Sequence, residues 1–143
     1  MDLIHLLYVS LLRDGDESVL PAILESARRH NARQGITGML LYRNGHFLQV
    51  LEGPSAAVQE TYGRILQDER HRYVCKLDEL RVERRAFGQW TMGFQALDGR
   101  ELARHPDVAI LFESTAEEIA QRVHRGTARA VLQAFHSGAL ALQ

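Results

Sequence analysis

Gly35-Ile36-Thr37-Gly38-Met39-Leu40-Leu41-Tyr42-Arg43-Asn44-Gly45-His46-Phe47-Leu48-Gln49-Val50-Leu51-Glu52-Gly53 holds two β-rich runs, Ile36 to Tyr42 and His46 to Leu51, joined by Arg43-Asn44-Gly45. Asn-Gly between such runs predicts a tight hairpin, because both residues accept the positive φ that the turn demands. Upstream, Leu3 to Ser10 reads as a strand with apolar residues on both parities: Ile4, Leu6 and Tyr8 on one, Leu3, Leu7 and Val9 on the other. A strand apolar on both sides is covered on both sides.

Between that strand and the hairpin, Val19, Leu20, Ile23, Leu24 and Ala27 fall at helical spacing over about Ser18 to Asn31, with Pro21 tolerated in the first turn. Asn31 lies four residues beyond Ala27, at the end of the buried stripe. Beyond the hairpin, a helix is predicted over about Ser55 to Asp68, with Val58, Tyr62, Ile65 and Leu66 inward and Arg64 and Asp68 four apart along one edge. Val74 to Val82 and Thr91 to Ala96 read as two further strands.

The order strand, helix, strand, strand, helix, strand, strand predicts an α+β, ferredoxin-like βαββαββ fold: a five-stranded mixed sheet with two helices on one face. The chain changes character at Asp98. Ser114-Thr115 followed by Glu117-Glu118 resembles a capping box that opens a helix through Ile119, Val123, Ala130, Val131 and Ala134. Residues 1–97 are therefore expected to form the domain, and residues 98–143 a C-terminal helical extension over the second apolar face.

The chain has 143 residues and is 45% hydrophobic, enough for one domain with an appendage. Its formal net charge of -1, from 17 basic and 18 acidic side chains, gives no field to draw it to nucleic acid or an anionic membrane. A single cysteine, Cys75, excludes an internal disulfide and fits a reducing compartment. The N-terminus lacks the pattern of a signal peptide, and no apolar run approaches membrane-spanning length. A soluble, cytoplasmic protein is expected.

Seven histidines show no metal-ligand spacing, so the metal assignment is none and the surface reading is favoured for them. No G-x-S-x-G elbow, Walker loop or Rossmann glycine pattern is present, and Cys75 has no evident activating base. No catalytic residues are assigned and an enzyme is not expected. The unusual feature is Gln49, which shares parity with Phe47 and Leu51. A buried amide without partners costs roughly 1 to 3 kcal/mol. From periodicity alone, a structural hydrogen bond from Tyr8 is the favoured account.

Tyr8-x-Ser10, Asn31, Gly35-Ile36-Thr37-Gly38, Phe47-Leu48-Gln49-Val50-Leu51-Glu52-Gly53, Asp68-x-Arg70-His71 and Arg85-x-Phe87-x-x-Trp90-x-Met92 follow one another at compatible spacing. Together they resemble the successive signatures of the BLUF domain, the sensors of blue light using FAD, over roughly residues 3 to 97. No central position departs from the pattern. The resemblance implies an oxidised flavin held between the two helices: FAD, with FMN or riboflavin as substitutes. It implies an apolar slot from Leu24, Ile65 and Phe47, and Asn31 facing the pyrimidine edge with a donor and an acceptor side by side. Arg64 and Asp68 match positions at the ring's other carbonyl and its ribityl edge, and His71 one near the carbonyl edge. Without flavin, Arg64 and Asp68 would make an ordinary i, i+4 surface pair.

By the same resemblance Tyr8 and Gln49 are the photochemical pair. Tyr8, a phenol of pKa about 10, would give up an electron and then its proton; Gln49 would relay the proton and switch its hydrogen bonds by rotation or tautomerisation, leaving a reversible red-shifted state. Trp90 and Met92 occupy the readout motif, one exchanging places with the other near Gln49. The partners implied are the flavin, a downstream protein without an identity in the sequence, and a homo-oligomer. A ferredoxin-like, light-independent interaction module without flavin is the alternative. An RNA-recognition module would need an open basic sheet face, and an acylphosphatase-like enzyme a phosphate-cradling loop where Asp14, Asp16 and Glu17 stand.

Overall fold

A computed structural model describes residues 2–104 and Phe112. The elements are β1 (Leu3–Leu12), α1 (Leu20–Gln34), β2 (Thr37–Arg43), β3 (His46–Pro54), α2 (Ser55–Gln67), β4 (His71–Val82), β5 (Gly93–Ala96) and a short α3 (Gly99–Ala103). The βαββαββ order is the predicted one. The strands lie in the order β4-β1-β3-β2-β5. The first four are antiparallel, and β5 joins parallel to β2. This is the expected α+β, ferredoxin-like sheet with one strand added at the edge.

The hairpin sets the register. Asn44 and Gly45 take φ of 46° and 82°, the left-handed pair a two-residue turn needs, and Arg43 faces His46 across it. Gly35 ends α1 in the left-handed conformation, at φ 70°, where its N–H bonds the Asn31 carbonyl. Alternation then sorts each strand between two cores. Ile4, Leu6, Tyr8, Leu40, Phe47 and Leu51 pack under α1 and α2, together with Ile23, Val58 and Met92. Leu7, Val9, Met39, Leu41, Leu48 and Val50 form the opposite face with Phe87, Leu97 and Phe112.

Several boundaries differ from the sequence reading. β4 begins three residues before Val74, with register irregularities between Leu7 and Tyr8 and between Val9 and Leu11 and a φ of 54° at Tyr73. Such irregularities break the alternation by which a strand is recognised. β5 starts at Gly93 instead of Thr91, and α1 runs on to Gln34. Leu66 is 53% exposed instead of inward, because the buried stripe of α2 runs through Val58, Thr61 and Ile65 and leaves Leu66 on the flank. Apart from Phe112, buried in the face opposite the helices, the extension beyond residue 104 and its helix from Ser114 lie outside the described residues.

Candidate functional site

β1 and β3 are neighbours, and Tyr8 stands directly opposite Gln49 on the face beneath the helices. The Tyr8 hydroxyl donates to Gln49 Oε1. The other end of that amide, Nε2, points at Met92 Sδ, 3.1 Å away. All three side chains are buried. A thioether is a weak acceptor, so the amide is well satisfied on its oxygen and poorly on its nitrogen. Burial pushes the Tyr8 phenol far above its usual range, with Tyr62 and Asp68 adding to the shift, so the hydroxyl stays protonated and remains a donor.

Above this pair lies a cavity of about 310 Å³ between α1 and α2. Its apolar wall comes from Ile23, Ala27, Leu40, Leu51 and Ile65, and its polar wall from Tyr8, Asn31, Gln49, Arg64, Asp68 and His71. Seven of the residues selected from the sequence therefore meet in one place. Leu24 and Phe47 do not line it. Leu24 sits one position, about 100°, round α1 from Ile23, and faces a separate groove with Leu20, Pro21 and Phe94. Phe47 is sealed in the core, its ring 5.2 Å from that of Tyr42 and 5.0 Å from that of His71.

Each polar wall residue is held from behind. Asn31, in the last turn of α1, donates from Nδ2 to the Thr91 carbonyl at 2.6 Å. Arg64 donates to His30 Nδ1 at 2.6 Å, which leaves His30 Nε2 to donate to Thr61 Oγ1 at 3.0 Å. This chain ties α2 to α1 at the cavity wall. Burial first, then the charge of Arg64, lower the His30 pKa and favour the neutral ring that this bonding needs. Asp68 pairs with Arg70, at 2.7 Å, in place of the i, i+4 partner Arg64. Burial alone would raise its carboxyl, but the hydrogen bonds and charge of Arg70 outweigh it and the net shift is downward. His71 bonds Ser10 Oγ at 2.9 Å, and burial lowers its pKa against the pull of Asp68.

His30 and Thr61, which the sequence analysis does not select, also line the cavity, as does Arg70 of the Asp68-x-Arg70-His71 signature. His30, expected at the surface, extends the stripe of Ile23 and Ala27 at i+7 and i+3. Trp90 and Met92 lie on opposite sides of the sheet: Met92 is in the core under the helices, while Trp90 packs against the opposite one. No group of three or more metal-ligating side chains occurs among the described residues. Among them, too, no helix is long and apolar enough to cross a membrane.

A model of the BLUF family, sensors of blue-light using FAD, matches residues 3–93. The chain belongs to the BLUF family. It is 46% identical over 74 residues to the photoactivated adenylate cyclase subunit beta of Euglena gracilis, a stretch that is 51% of this chain and 9% of that protein. It is 40% identical over 74 residues to the blue light- and temperature-regulated antirepressor BluF of Escherichia coli strain K12, covering 50% of this chain and 18% of that one. The chain thus spans a small part of these relatives. The dark-state structure of the BLUF protein BlrB superposes with a TM-score of 0.71 at 32% identity, covering 93% of this chain and 97% of that one. The BLUF family binds FAD, and the matched domain is a sensor domain. A slot with an apolar wall and amide, guanidinium and carboxylate groups along its polar wall suits a flat ring with a hydrogen-bonding edge.

Proposed function

We propose that this BLUF domain is a photoreceptor in which Tyr8 is the electron and proton donor and Gln49 the switch. Bound flavin would supply the absorption of blue light and, once excited, the electron-accepting group. Asn31, Arg64, Ile65, Asp68 and His71 would hold it, joined by Ile23, Ala27 and His30 on the α1 side. Tyr8 is suited to its role because it is buried as a neutral phenol with a ready acceptor for its proton direction, Gln49 Oε1. Once the phenol changes state, the reason for Gln49 to keep its oxygen toward β1 is gone. The weak Nε2 contact to Met92 adds little resistance to rotation or tautomerisation. The one observation that carries this reading is the buried series Tyr8–Gln49–Met92 at the floor of the cavity.

The output would pass through β5 and residues 83–92 to a protein partner or a second copy of the chain. Related names, an antirepressor and light-regulated cyclases, support a protein as the receiver. A partner must distinguish the two states for the switch to do work. Residues 1–97 would form the sensor and the remainder a helical extension on the opposite face, where Phe112 already packs. Absorption spectra of the purified protein in the dark, under blue light and during recovery test the proposal. A flavin spectrum that shifts reversibly to the red without bleaching is expected. A protein still colourless after refolding with FAD would overturn it and favour the light-independent module.

A further inference from the structure

Glu52 is fully buried on the face of the sheet opposite the cavity, yet among the described residues no arginine or lysine makes an ion pair with it. Four donors converge on its carboxylate. His5 Nε2 and the Ala86 backbone N–H reach Oε2 at 2.6 and 2.5 Å, while Thr37 Oγ1 and the Phe87 N–H reach Oε1 at 2.6 and 3.0 Å. Arg85 adds a second tie beside it, donating to Thr37 Oγ1 at 2.9 Å and to the Gly35 carbonyl at 2.7 Å. Burial by itself would raise the Glu52 carboxyl, but these hydrogen bonds outweigh it and the net shift is downward.

Two of the four donors are backbone groups of the loop that carries Trp90 and Met92. From there the chain is fixed step by step to the cavity side. The Trp90 N–H bonds the Phe87 carbonyl at 2.9 Å, and the Trp90 carbonyl accepts from Gly38 at 3.1 Å. The Thr91 carbonyl accepts from Asn31 and the Met92 carbonyl from Arg28 Nε, at 2.6 and 2.9 Å. Glu52 thus anchors one end of a short segment whose other end sits against Gln49.

We propose that Glu52 is a positioning residue for the photoreaction: its carboxylate pins residues 86 and 87, and through them keeps Met92 against Gln49 and Trp90 on the opposite face. This rests on the photoreceptor reading above. The chemistry distinguishes a carboxylate from its isostere at this place. Thr37 can turn its hydroxyl and His5 can change tautomer, but a backbone N–H can only donate. The two backbone donors approach different oxygens, so an amide at position 52, whichever way it is turned, opposes one of them with its NH₂.

Trp90 is the single tryptophan, so its fluorescence reports the segment directly. Glu52→Gln is expected to retain flavin and a red shift on illumination. Its dark recovery should change by roughly fivefold, the rate equivalent of one ordinary hydrogen bond. The dark-state Trp90 emission should move toward the wild type's illuminated value. Recovery and dark emission equal to wild type would overturn the proposal even with a lowered Tm, since Glu52 would then act on stability alone. If Glu52→Gln does not fold, Thr37→Val decides: it removes one donor and the Arg85 contact and should produce the same two changes, smaller, and unchanged values would overturn the proposal. A wild type without any red shift would sink the photoreceptor reading instead, and the dark emission of the variants would still judge the anchor.

Discussion

Leu48 and Gln49 are chain neighbours on β3 and point to opposite faces of one sheet. Leu48 enters a core of Leu7, Val9, Met39, Leu41 and Val50. Gln49 enters the floor of a cavity, bonded to a phenol on one side and a thioether on the other. One face gains stability from close packing. The other keeps room for a ligand at the expense of packing, and places its polar groups where a change in one bond alters the next. The two faces share a backbone and meet again at the segment 83–92, which touches Glu52 on one side and Gln49 on the other.

Substitution of these two neighbours separates the faces most sharply. Gln49→Leu should keep flavin and fold normally while losing the red-shifted photoproduct entirely; a wild-type photocycle in this variant would remove Gln49 from the mechanism. Leu48→Ala should do the reverse. Truncating a leucine that is 1% exposed costs about 2–5 kcal/mol, to be read by denaturant unfolding, with the red shift retained wherever the protein is folded.

A smaller effect comes from pH. His71, beside the cavity, has its folded pKa below that of the unfolded chain, chiefly by burial. Its contribution is fully present above the unfolded value of about 6.5 and is lost as pH falls through that value toward the folded one. Tm should therefore decline between about pH 7 and 5, and His71→Asn should flatten that decline; an identical slope in the variant would show that other groups cause it. Smallest of all, Leu66→Gln on the exposed flank of α2 should change stability by about 0.5 kcal/mol or less.

How much of this was legible in the sequence follows from the range over which each signal acts. The hairpin, the two-sided β1 and the helix stripes are local patterns and were readable, as was Tyr8 opposite Gln49 once the strands were placed. Ile23 faces the cavity and Leu24 does not, because one step along a helix turns about 100°, finer than a stripe of apolar residues can specify. Phe47 has the right parity but is covered by His71. The start of β4 is hidden by the extra residues that β4 carries in its pairing with β1 and by the positive φ at Tyr73. The convergence of His5, Thr37, Ala86 and Phe87 on Glu52 draws in residues up to 47 positions from it, and no periodicity announces such a meeting. His30 bridges the two helices through Arg64 and Thr61, a meeting of α1 with α2 that the spacing of histidines along the chain does not reveal.

In the proposed mechanism the phenol of Tyr8 drives the change at Gln49. The most direct test is the light-minus-dark absorption difference of flavin-loaded Tyr8→Phe beside the wild type. A reversible red shift in the wild type and none in Tyr8→Phe, with flavin bound equally by both, is the predicted result. The same red shift and recovery in Tyr8→Phe would contradict the account.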